Sequence, residues 1–199
     1  MLRLSLSIAA LVLLTLGYAS AEELRCQGAF AKDMDHKRLV AAFGQSNVKL
    51  GTVREAEGVR ARASIVFPKD PARRLEVVWF DEKSLRHPRR IDLAGSGWSG
   101  PGGLRIGASL EAVETANGKP FILYGFEWDY GGTVESWNGG MLGKLPGGCS
   151  FYPIFEPDDA ASAEALTAVA SDNQFTSDWF EMKAAKPRIR SLHLSYPEQ

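Results

Sequence analysis

Two short segments of this chain repeat a helix signature, and that repeat constrains the fold more than any other feature. Residues 35–46 read DHKRLVAAFGQS and residues 109–120 read SLEAVETANGKP. They align without a gap, so that Asp35 falls on Ser109, Leu39 on Val113, Ala42 on Ala116 and Gly44 on Gly118. Each opens with a residue whose side-chain oxygen can accept from an orphan helix N–H. Each then places apolar residues at helical spacing: Leu39, Val40 and Phe43 in one, Leu110, Val113 and Ala116 in the other. Each closes at a glycine suited to the left-handed conformation that ends a helix.

After each helix the hydrophobic period changes from helical to alternating. In the first unit, residues 47–54 read as a strand, 55–58 as a turn and 59–67 as a second strand. A loop at 68–73 holds two prolines and an aspartate, which cannot continue a ladder. Leu75, Val77 and Trp79 mark a third strand. In the second unit, residues 121–130 read as a strand, Gly131-Gly132 as a two-residue hairpin turn, 133–137 as the returning strand and 149–155 as the third. Residues 81–103 join the units as a linker rich in Arg, Pro, Gly and Ser, with one strand-like stretch at 91–93. The tail predicts a helix over about 159–170 and a shorter one near 177–184. A final strand over 189–194 adds to one of the sheets. The fold class is therefore α+β, with two tandem helix-plus-antiparallel-sheet units, a C-terminal helical extension and a final strand. Within one domain over 22–199, the units cover about 26–80 and 104–155, and the extension covers 156–199.

The second helix carries a further pattern. Gly107 precedes Ser109 as N-cap, and Val113, Gly118 and Pro120 follow. This spacing resembles the repeat unit of small bacterial envelope proteins of the BamE/SmpA type and of the β-lactamase-inhibitory-protein type. In the first unit Asp33 stands at the leading glycine and Ser46 at the proline. The resemblance implies helices laid on antiparallel sheet and a protein-binding role. The chain differs from those families in having no lipobox and in its extended C-terminal region.

The N-terminus specifies a compartment. Arg3 precedes an apolar run over 4–16, and Ala19-Ser20-Ala21 fits the small-x-small rule of a signal peptidase site. The run is shorter than the roughly 20 apolar residues that span a bilayer. A cleaved signal over 1–21 is expected, with a mature chain that begins at Glu22, carries no transmembrane segment and is periplasmic or secreted. Glu23, Leu24 and Arg25 before Cys26 lack the small residues of a lipoprotein site. The two cysteines, Cys26 and Cys149, form an even pair in an exported chain, which favours a disulfide; two free buried thiols are the alternative. His36, His87 and His193 show no ligand spacing with each other or with the cysteines, so no metal site is expected. A formal net charge of −1 gives no field strong enough to argue for nucleic acid or an anionic membrane. Arg73-Arg74, residues 86–90, Arg188 and Arg190 read as solvated surface.

Residues 95–100 spell GSGWSG, a literal G-x-G-x-x-G, but Pro101-Gly102-Gly103 follows where a dinucleotide site requires a helix. No cofactor is expected. Gly97-Trp98-Ser99 lacks the closing glycine of a nucleophile elbow. The hairpin over 121–137 is the candidate site. Around a Gly131-Gly132 turn, Tyr130 faces Thr133, Trp128 faces Glu135 and Phe126 faces Trp137. Phe126, Trp128, Tyr130 and Trp137 then share one face, with Glu127 and Asp129 on the other. The aromatics are either core beneath the helix or a platform that stacks on a sugar or anchors a partner protein. Trp98 either plugs the seam between the units or waits for a ligand. His36 and His87 read as surface residues. The expected function is a binding or interaction module of the cell envelope whose partner is an envelope protein or glycan. The alternative is a glycan-acting enzyme that uses Glu127 or Asp129, since residues two apart on a strand can meet the carboxylate spacing of a glycosidase.

Overall fold

Both repeat helices form where their caps place them. Helix α1 (His36–Phe43) starts at Asp35, whose side chain accepts from the Arg38 N–H at 2.8 Å, and stops at Gly44 with φ 87°. Helix α2 (Leu110–Asn117) starts at Ser109, which accepts from the Ala112 N–H at 3.3 Å, and stops at Gly118 in the left-handed region. These elements belong to a computed structural model that describes residues 22–198 other than Ser96. The predicted signal, residues 1–21, lies outside the described residues.

The strands in chain order are β1 (Glu22–Glu23), β2 (Val48–Arg54), β3 (Arg60–Val66), β4 (Leu75–Asp81), β5 (Arg86–Leu93), β6 (Trp98–Ser99), β7 (Ile122–Tyr124), β8 (Val134–Ser136), β9 (Ser150–Glu156), β10 (Gln174–Thr176) and β11 (Arg188–Ser195). Two short helices, α3 (Ala163–Val169) and α4 (Phe180–Ala184), lie between β9 and β11. A six-stranded antiparallel sheet runs β2-β3-β4-β5-β11-β9, and a three-stranded one runs β10-β7-β8. A bridge between Thr133 and Ile154 joins them. β1 pairs in parallel with β6.

Alternation sets which side chains each strand buries. Leu75, Val77, Ile91, Leu93, Phe151, Phe155, Leu192 and Leu194 turn to one face and pack in a single cluster with Leu39, Leu110, Val113, Val169 and Met182 of the four helices. Removing each such side chain from water is worth about 1.5–3 kcal/mol. A smaller cluster of Val53, Ala61, Ala63, Ile65 and Val78 packs separately from that core. Among the described residues, no helix is long and apolar enough to cross a membrane.

The α+β class is as expected, but the structure revises three details. Residues 86–93 are a full strand inside the six-stranded sheet rather than a linker. Its Arg-rich sequence hides the pattern, because Arg90 and Asp92 point out while Ile91 and Leu93 point in. Pro88 is tolerated because it sits opposite Trp79, where the ladder shifts register between Val78 and Trp79. Strand β9 leaves the second unit and joins the six-stranded sheet beside β11. The two-residue hairpin turn at Gly131-Gly132 does not form. β7 and β8 pair with Ile122 opposite Ser136 and Leu123 opposite Val134, so residues 125–133 form a loop.

Cys26 and Cys149 are bonded, with their Cα atoms 6.1 Å apart. The bond ties the start of the described chain to the entry of β9 across a sequence separation of 123. A closed loop of that length restricts the unfolded chain by about 4–5 kcal/mol in the loop-entropy account. A Cys26→Ser/Cys149→Ser variant is therefore expected to lose stability of about that size in urea denaturation, with the slope of the transition rising as the unfolded chain expands.

Candidate functional site

The loop over 125–133 is anchored at both ends by backbone hydrogen bonds. The Gly125 N–H donates to Asn173 O at 2.9 Å, and the Phe126 N–H donates to Val169 O, at the end of α3, at 2.8 Å. The Gly132 N–H closes the loop on Gly125 O at 3.0 Å, and Gly132 O accepts from the Phe155 N–H at 2.9 Å. Across the tip, the Gly131 N–H reaches Trp128 O at 2.7 Å, and Tyr130 O accepts from both the Thr133 N–H and its hydroxyl. Two glycines are required by this closure. A Cβ at Gly125 would collide with the carbonyls of Val169 and Ser171, and one at Gly132, where φ is +73°, would collide with that of Phe155.

This geometry divides the four candidate aromatics. Phe126 is 4% exposed and Trp137 is 9% exposed; both belong to the core. Trp137 packs against Phe121 and Phe151. Trp128 and Tyr130 project from the loop, 61% and 69% exposed. The expected shared face is lost because residues 126–131 leave the ladder and strand alternation no longer applies to them. Glu127 takes φ 73°, which is unusual for a side-chain-bearing residue and turns the chain at that point. Trp98 is buried, donates from Nε1 to Arg73 O at 2.7 Å and meets Phe30 and Phe43 edge-on, so it is a core ring packed against the first unit. His36 is half-buried rather than on the surface, 2.8 Å from the Ser64 hydroxyl, which also accepts from the Trp79 indole. Burial, reinforced by the nearby Arg62 charge, lowers the His36 pKa. His87 is half-buried as well.

Trp128 and Tyr130 open a depression of about 330 Å³ with Tyr124, Asp129 and Asp172. The Tyr124 and Tyr130 rings lie 5.8 Å apart, and the Gln174 amide donates to the Tyr124 hydroxyl at 3.3 Å. Asp129 lines this depression; Glu127 does not, so the two acids do not face one cleft. Tyr124 was legible only as a strand residue. Asp172 and Gln174 arrive through the pairing of β10 with β7, for which the local sequence carries no signal.

From Tyr124 the same sheet face continues across the strands. The Tyr124 N–H donates to Thr133 O at 2.9 Å, Thr133 lies opposite Ile154, and Ile154 lies opposite Ser191. In a second row, Tyr152, His193, Asp92 and Glu76 lie opposite one another on β9, β11, β5 and β4. Tyr152 stacks on His193 with ring centroids 4.9 Å apart. Arg90 bonds Asp92 and Glu55, Arg89 bonds Glu55, and Arg74 bonds Glu76, at 2.7–3.0 Å. Burial raises the Asp92 pKa against the opposing pull of Arg90. Burial also raises the pKa of Tyr152, helped by the charges of Glu135 and Tyr124. Burial, reinforced by Arg90, lowers His193 to about 4.

Among the described residues, no group of three or more His, Cys, Asp or Glu side chains is placed to hold a metal ion. No family model matches the chain, and no curated protein matches it. One solved structure that is similar to it is the crystal structure of the uncharacterized protein yfeY from Escherichia coli. The two share 14% identity and a TM-score of 0.44 over 87% of this chain and 98% of that one.

Two outcomes are expected. Gly132→Ala forces a Cβ into the Phe155 carbonyl at a positive φ, so it lowers the melting temperature and broadens the amide signals of residues 125–133 in NMR spectra. The second concerns acid. The His193 ring, with an ordinary value of 6.5 and a folded value of about 4, is neutral in both states above pH 6.5. As pH falls through that window the unfolded chain takes up the proton first, so stability declines, by at most about 1.4 kcal/mol per pH unit. Asp92 acts in the opposite sense and offsets part of the loss at the acid end, because its folded pKa is raised. Urea midpoints between pH 7 and pH 4.5 should therefore fall less steeply for His193→Gln than for the wild type.

Proposed function

We propose that this protein is an exported binding module of the cell envelope and that the loop carrying Trp128 and Tyr130 is its site. The observation that carries this reading is an exposed aromatic pair on a loop fixed by backbone hydrogen bonds at both ends. Leaving large rings in water costs free energy, and a loop already ordered loses little entropy when a ligand covers it. Trp and Tyr in such a position are the residue types that dominate binding energy at interfaces. The apolar run and small-x-small site before Glu22 support export, and a disulfide fits an oxidising compartment. The resemblance of the two capped-helix segments to the BamE/SmpA and β-lactamase-inhibitory-protein repeat supports a protein-binding role.

The test is capture from native envelope extract with the chain from Glu22 onward as bait, beside Trp128→Ala/Tyr130→Ala. Both side chains are largely exposed, so the variant should fold and melt like the wild type. A ligand retained by the wild type and lost by the variant is the expected result. For the isolated ligand the two truncations should weaken affinity about 30-fold or more, since central aromatic anchors are worth about 2 kcal/mol or more. Equal retention by both baits would remove the site from this loop.

A further inference from the structure

We infer that the Trp128 and Tyr130 platform is the first part of a longer site, one that takes a neutral β-linked oligosaccharide laid across the strands from Tyr124 toward His193. The inference rests on the binding reading above and adds the chemical class and the path of the ligand.

Three observations carry it. The first is the continuity of the face. Tyr124 of β7, Thr133 at the end of the loop, Ile154 of β9 and Ser191 of β11 stand in one row, and Tyr152 and His193 stand in the next. All of these except the exposed loop tip are half-buried, and the four helices pack into the cluster on the other side of the six-stranded sheet. The row therefore starts at the aromatic depression and runs over open sheet. Neighbouring strands are about 4.8 Å apart, close to the advance of one β-1,4-linked pyranose, so a chain crossing the strands would set roughly one ring over each.

The second is the chemistry of the groups. At the platform, aromatic faces stand beside Asp129 and Asp172. Aromatic rings stack on the C–H face of a sugar, and carboxylates accept from its hydroxyls. Farther along, the hydroxyls of Ser191 and Tyr152 can donate and accept, and that of Thr133, whose proton goes to Tyr130 O, can accept, which suits a ligand that is hydroxylated along its length.

The third is charge. The arginines on or beside the second row's strands are held by anions of the same face: Arg90 by Asp92 and Glu55, Arg89 by Glu55, and Arg74 by Glu76; the exposed cations Lys49, opposite Ile65, and Arg190, next to Ser191, lie at the margins of the path. A nucleic acid or an anionic lipid surface needs cations free to meet phosphate. Along the path most of that attraction is neutralised, and the platform itself carries Asp129 and Asp172, which suits an uncharged chain better than a polyanion.

Titration calorimetry with two neutral series, β-1,4-linked glucose and β-1,4-linked N-acetylglucosamine oligomers, tests the inference. The expected result is that the hexasaccharide of at least one series binds about tenfold or more tighter than its disaccharide. Tyr152→Ala and Ser191→Lys should bring the hexasaccharide down to the disaccharide level and leave disaccharide binding unchanged. Ser191→Lys adds a charge on the open side without opening the interior, so it serves if Tyr152→Ala disturbs the His193 stack; circular dichroism and melting check both. Trp128→Ala/Tyr130→Ala should abolish binding of both lengths. Equal affinity for both lengths, or a hexasaccharide indifferent to Tyr152→Ala and Ser191→Lys, overturns the extended path and leaves the platform standing. Failure of both series to bind, with capture from extract still sensitive to Trp128→Ala/Tyr130→Ala, overturns the saccharide and leaves the binding module. Failure of both series with capture insensitive to that variant overturns both.

Discussion

Strand β11 is the element on which the rest depends. It enters the six-stranded sheet between β5 and β9, pairing Leu192 to Ser195 with Leu93 to Arg90 on one side and the length of β9 on the other. Without it, the strands of the first unit and β9 would be two separate edges. Its inward residues Ile189, Leu192 and Leu194 sit in the main core. Tyr196, just beyond it, is buried and donates to Phe30 O at 2.6 Å. The strands of the first unit and β9 share a sheet through this strand, which comes from outside either unit.

The same insertion determines the open face. Ser191, an outward residue of β11, ends the row that begins at Tyr124, and His193, the next outward residue, links Tyr152 of β9 to Asp92 of β5. The charges beyond them are paired within the face, and the platform at its end is held by bonds to α3, β9 and the segment before β10. The open face thus draws on residues from both units and from the C-terminal extension, with β11 as the common support.

Local chemistry was legible; long-range pairing was not. Asp35, Gly44, Ser109 and Gly118 announce both helices, because capping and glycine stops act within a few residues. The strands of the first unit follow from simple alternation. Residues 86–93 were obscured because outward Arg and an inserted Pro mimic a loop, and only the bulge at Val78 and Trp79 makes them a strand. The 121–137 segment misleads for a different reason. A Gly-Gly pair normally marks a tight turn, but here Gly132 is needed for its closeness to Phe155, a contact made by distant chain. Trp128 and Tyr130 were therefore identified as candidates while their true setting was not, and Asp172 and Gln174 were invisible without β10.

The placement of β11 also has a consequence in time. The sheet is interrupted at its fifth position until residues 188–195 have docked, so β2 to β5 and the lone β9 remain unjoined until then. Contacts of such long sequence separation form slowly, because the loop between them must close first. A chain built this way defers its own completion. Until β11 docks, the facing edges of β5 and β9 keep their backbone groups unpaired, and an unpaired edge is a template for another strand.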